Sequence, residues 1–143
     1  MIDLETYNLL SGKHKDRETG MCAMEFVAYL AKEPHSDAPY CACPVLTKFV
    51  IQLNDRFDNE ERQLLKPYLP RLLNTRDGKS LERAKLFAWK AGTVFAPIAL
   101  EIAGKKDLAD NLRATEHYNF SELSTRCRSA AATYATATAT TAT

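Results

Sequence analysis

Glycine is scarce in this chain, five residues in 143, and the scarcity removes several options at once. Five glycines cannot furnish the tight turns of a many-stranded β architecture. No phosphate-cradling glycine loop, dinucleotide fingerprint, serine nucleophile elbow or zinc-protease helix motif occurs either. An excess of charge of one sign is also lacking, because 19 basic side chains stand against 18 acidic ones. The basic footprint of a duplex-binding protein is therefore absent, and nucleic acid is unsupported as a partner. Nor is there an unbroken apolar run: residues 84–103 come nearest, but Lys85, Lys90, Pro97 and Glu101 interrupt them where a bilayer would penalise charge. A buried core helix fits that stretch better than a membrane span. The opening Met1-Ile2-Asp3-Leu4-Glu5 is acidic and leads into no apolar segment, so no secretory leader is expected. Four cysteines without such a leader point to a reducing compartment, with the cytoplasm as the expected location and thiols or metal ligands as the expected states.

What is present reads as all-α, a compact bundle of five to six helices. A chain of this length buries roughly two-thirds of its unfolded surface around one core. Residues 1–20 are polar, carry Gly12 and Gly20, and are expected as a flexible N-terminal arm; residues 21–134 form a single helical domain; residues 135–143 are a low-complexity Ala/Thr tail. Met24, Val27, Ala28 and Ala31, widened by Phe26 and Leu30, predict a short buried helix stopped before Pro34, with Glu25 the odd residue inside its apolar stripe. Pro44 at a first helical position, with Cys43 as N-cap, opens a second helix carrying Val45, Leu46, Phe49, Val50 and Leu53 and ending near Asn54-Asp55. Asp58 and Glu61 make a capping box for a third, which Pro67 and Pro70 should kink or split. Ser80 caps the next, expected to be the central helix, kinked near Pro97, with Phe87, Trp89, Phe95 and Ile98 as its main apolar contributions. A thin stripe of Leu108, Ala109 and Leu112 predicts a surface helix, and Ser121 caps a final one that the Ala/Thr tail extends with fraying, packs on a partner copy, or leaves disordered.

Residue types chosen for chemistry concentrate between Met21 and Val45, where three of the four cysteines, one histidine and three prolines fall. Cys22, His35, Cys41 and Cys43 supply the number and kind of ligands a tetrahedral zinc needs, although Cys41 and Cys43 enclose only Ala42, closer than paired zinc cysteines usually stand. A thiol enzyme would take Cys41 or Cys43 as a thiolate eased by the following helix N-terminus, His35 as base, and Asp37 or Glu25 to orient it. A redox sensor would bridge Cys22 to Cys41 or Cys43, since a Cys-x-Cys ring is strained. The plainer alternative is small buried thiols beside a polar turn at Ser36-Asp37. Asn54 and Asp55 are a further polar pair within reach of the same loop.

The string Met24-Glu25-Phe26-Val27-Ala28-Tyr29-Leu30, then Glu33-Pro34-His35-Ser36-Asp37, Pro39, Cys41 to Val45 and Asn54-Asp55, resembles uncharacterised small helical proteins of bacteria and phages that share it and end in alanine-rich tails. The resemblance covers roughly residues 20–76 and implies a phage or mobile-element origin; it brings no activity, cofactor or catalytic residue. The expected function is a non-enzymatic module that binds another protein or a second copy of itself through the final helix or the loop from Pro34 to Pro44. A small zinc protein and a cysteine-dependent enzyme or redox sensor are the alternatives.

Overall fold

The computed structural model describes residues 3–140, with side chains through residue 136. Every regular element among them is helical: α1 (Ala23–Leu30), α2 (Pro44–Arg56), α3 (Asn59–Gln63), a 3-10 segment (Lys66–Leu72), α4 (Ser80–Lys90), a π turn (Ala91–Phe95), α5 (Ala96–Ile102), α6 (Lys106–Arg113) and α7 (Phe120–Thr140). Where one domain is expected over 21–134, the contacts divide the chain after Arg83 into two compact units.

In the first unit the core lies on α1. Met21, Ala23, Met24, Phe26, Val27 and Ala28 are all buried, and a helix that is apolar nearly all round has no solvent face to offer. Tyr7 and Tyr29 close on the Phe26 ring at 5.2 and 5.6 Å between centroids. The helix ends in a Schellman turn, in which the amides of Lys32 and Glu33 donate back to the carbonyls of Tyr29 and Ala28. Lys32 takes the left-handed position there at φ 58°, a place that glycine usually fills. Pro34 follows and starts the loop that carries His35.

The prolines act as their chemistry requires. Pro44 stands at the start of α2, where no amide donor is needed. Pro67 and Pro70 end the α-helical bonding that starts at the Asp58–Glu61 box, and the chain continues as the tighter 3-10 segment. Ahead of Pro97 the bonding widens into the π turn, whose Ala96 amide reaches the carbonyl of Ala91. This extra slack relieves the clash a proline ring makes with the carbonyl four residues earlier.

The N-terminal stretch differs from the expected flexible arm. Leu9 is buried, and its amide and carbonyl pair with both ends of the Gln63 side chain at 2.9 and 3.0 Å. Gly12 donates to Asp55, and Lys66 reaches the carbonyl of Glu5. An irregular segment can be held this way because side-chain amides and carboxylates replace the backbone partners it lacks. Residues 1 and 2 of that arm lie outside the described residues.

In the second unit, α5 packs on α6, and α6 on α7. Trp89 is buried among His117, Tyr118 and Phe120. Two other residues expected as core, Phe95 and Ile98, are 57% and 46% exposed, and Ile102 is 84% exposed. As the thin stripe predicts, α6 buries only Ala109 and Leu112 and leaves its other residues half-buried or exposed at the surface. Asn119 rather than Ser121 caps α7, exchanging bonds with the amide and carboxylate of Glu122. Residues 135–140 of the Ala/Thr tail continue that helix, and residues 141–143 lie outside the described residues.

Candidate functional site

Glu25 is fully buried, and among the described residues its charged or chargeable partners are histidines, with no lysine or arginine. Its position is set by α1: Cys22 is the N-cap, and Glu25, three residues on, bonds back to the Cys22 amide at 2.8 Å while the Glu25 amide donates to the Cys22 sulfur. This is a capping box with cysteine in the place of serine or threonine. The other partners come from the N-terminal stretch and the loop. The His14 amide and ring Nδ1 each lie 2.8 Å from the carboxylate, and His35 Nε2 lies 3.4 Å from it and 3.1 Å from the His14 carbonyl.

The partners of both ring nitrogens are oxygen acceptors, so bonding places the protons on His14 Nδ1 and His35 Nε2. His35 Nδ1 is left buried without a partner, as a lone pair rather than as an N–H. Burial pushes the Glu25 carboxyl up, but the amides of Cys22 and His14 and the His14 ring outweigh it and hold the group below the ordinary glutamate value. The same burial drives the Cys22 thiol up to about 12, so it stays protonated and serves as a cap.

Asn54 completes the arrangement from α2. Its side chain accepts from the Ala23 amide at 3.0 Å and donates to the Leu10 carbonyl and to Asp55, each at 3.0 Å. Arg62, also buried, binds the free carbonyls of Asn54 and Phe57 and so closes the C-terminal end of α2. Asp37 pairs with Lys13 at 3.3 Å and shares with Cys22, Asn54 and Asp55 a small cavity of about 80 Å³.

A second cluster forms around Cys43. Its sulfur is buried at the N-terminus of α2, 3.4 Å from the hydroxyl of Ser80, the first residue of α4. Arg83 also faces it, oriented by two bonds to Asp77 at 2.7 and 2.8 Å and one to the Thr75 carbonyl. Burial raises the thiol, but Ser80, the amides of Leu46 and Val45 and the Arg83 side chain bring it down to about 7. Cys41 goes the other way: its amide donates to the Glu33 carboxylate, and burial together with that negative neighbour pushes its thiol up.

The structure thus joins Glu25 with His35 and adds His14, but it distributes the cysteines over three different surroundings. Among the described residues no group of three or more His, Cys, Asp or Glu is placed to hold a metal ion. Cys22 bonds within its own helix turn to Glu25, which His35 also faces, while Cys43 faces Ser80 and Arg83 and Cys41 adjoins Glu33, so the three candidate sulfurs have different surroundings. Sequence reasoning passed over His14 because it sits in a polar stretch without periodicity. The Cys22-x-x-Glu25 spacing was the available signal, since a glutamate at the third helical position explains an acid inside an apolar stripe.

The low thiol value has a testable consequence. Thiolate absorbance should show one group in the folded protein titrating near pH 7, and Cys43→Ala should remove it. A depressed acid contributes stability that is fully present above its unfolded value, about 8.5, and is lost as pH falls through the folded one. Stability should therefore rise between those two values in the native chain, and the rise should flatten in the variant.

No described helix is long and apolar enough to cross a membrane. In comparisons with known proteins the chain matches no protein family, no curated protein and no solved structure.

Proposed function

We propose that the chain is a helical protein-interaction module whose working surface is the apolar face of its second unit. The observation that carries this reading is the exposure of Phe95 at the end of the π turn and of Ile98 and Ile102 on α5, whose Ala96, Ala99 and Leu100 line a trough of about 350 Å³ with no charged residue in its lining. Large exposed aliphatic and aromatic side chains grouped on one helix mark a surface that loses water when a partner arrives. In the first unit, by contrast, the polar constellation around Glu25 is consumed in holding the chain together. The resemblance to small phage and bacterial proteins supports an origin on a mobile element, where a host or structural protein is a natural partner.

Ile98→Ser combined with Ile102→Ser tests the reading, because both positions are exposed and the substitutions leave the packing intact. The double variant should keep native circular dichroism and lose the association, with itself or with an added partner protein, that the module expects of the native chain in sedimentation. An association that survives both substitutions would count against the module.

A thiol-based function has one observation in its favour, the Cys43 sulfur placed between Ser80 and Arg83, which bring its thiol down to about 7. It expects Cys43 to react with iodoacetamide faster than Cys127 near neutral pH. Slower labelling than Cys127 would assign the thiolate a purely structural role, consistent with its full burial.

A further inference from the structure

We infer that the trough on the second unit is a self-association site, filled by α7 of a second copy lying antiparallel to the first; this rests on the interaction reading above. Three features argue for this occupant. The trough runs between α5, which contributes Ala96, Ala99, Leu100 and Ala103, and α7, which contributes Cys127, Ala130, Ala131 and Tyr134. A groove between two helices with alanine on both walls admits a third helix at close axial distance, because small side chains let the backbones approach.

The charge of the occupant must match. A charged side chain laid into this lining would lose its water without gaining a partner. From residue 129 to residue 143 the sequence contains no charged residue, so the second half of α7 can enter without that loss.

Size is the third feature, and the residues that symmetry would pair suit a second copy of this chain. The wall residues of α7 fall at 127, 130, 131 and 134, a spacing symmetric about the midpoint between Ala130 and Ala131. A two-fold axis there sets Ala130 against Ala131 of the other copy, and Cys127 against Tyr134. Two small residues meet at the centre, and the one large ring is opposed by a small thiol. An isologous interface demands this reciprocity, since each residue must suit the partner that its own symmetry mate presents.

Sedimentation velocity of the full chain across a concentration series tests the inference. The expected result is a reversible dimer, with maleimide labelling of Cys127 slowing as the dimer forms. Ala131 is exposed, so Ala131→Glu should fold normally and weaken the dimer by roughly a hundredfold or more, two charges being buried per symmetric interface. Ala131→Cys should form a covalent dimer under mild oxidation above the wild-type background, and Ala132→Cys, exposed on the opposite side of α7, should not. A dimer indifferent to Ala131→Glu would place self-association elsewhere and overturn the inference. A monomer at every concentration with Cys127 freely labelled would overturn self-association but leave an open trough for a different protein, and the interaction reading with it. A monomer with Cys127 protected would overturn both.

Discussion

Glu25→Gln should lower the unfolding free energy of the first unit by about 3 kcal/mol, the lower part of the range for removing one member of a buried charged network. The native carboxylate receives two bonds from His14, one from the Cys22 amide and the proximity of His35 Nε2, all donors. Glutamine offers one acceptor and one donor, so its NH₂ must confront either an N–H of His14 or that of Cys22. For a unit of this size, melting should fall by more than about 10 °C. Hydrogen exchange should speed up at the His14 and Cys22 amides before it does in α2. The pH dependence follows from the same contacts. The depressed carboxyl contributes stability that is complete above the unfolded glutamate value of about 4.3 and is lost as pH falls through the folded value. Acid unfolding should be shallower in the glutamine variant, which has no such proton to take up. Equal melting temperatures for the two proteins at neutral pH would show that the carboxylate does not hold the N-terminal stretch.

Much of the fold was legible wherever a residue acts on its own neighbours. Pro44 at the start of α2, the Asp58–Glu61 box, the break at Pro67 and Pro70 and the interruption ahead of Pro97 all depend on bonds within four or five residues, and each stands as local chemistry predicts. Periodicity also identified the apolar side of α1. What it could not supply is the surface on which an apolar side rests. Phe95 and Ile98 have the pattern of core residues, yet they lie exposed, while Met21 and Leu9 are buried from stretches with no helical period. The candidate site divides in the same way. Glu25 in α1 and His35 in the loop that follows it were drawn together, but His14 and Ser80 reach their partners from distant segments. The helix N-terminus, a local feature, suggested an eased thiol at Cys41 or Cys43 alike; that burial and Glu33 push Cys41 up while Arg83, forty residues on, faces Cys43 was not legible.

The second large effect should come from Asn54→Leu. This side chain is nearly inaccessible, and its amide joins three segments: the Ala23 amide opening α1, the Leu10 carbonyl in the N-terminal stretch, and Asp55 beside it. Leucine has a similar volume and no polar atoms, so packing is retained and the loss isolates the bonds. Leaving the Ala23 donor buried and unpaired and cutting the part-buried bond to the Leu10 carbonyl should cost about 3 kcal/mol, most of it from the orphaned Ala23 amide at about 1 to 3 kcal/mol. Glu25 and Asn54 fasten the same stretch to the same helix, one at Cys22 and one at Ala23. If that stretch detaches as a unit once either tie is cut, the second substitution finds little left to break. The double variant should then lose clearly less than the sum of the two single losses, a coupling that a double-mutant cycle measures directly. Strict additivity would mean that the two side chains stabilise separate regions, and that the stretch from Leu10 to Cys22 is not one cooperative element.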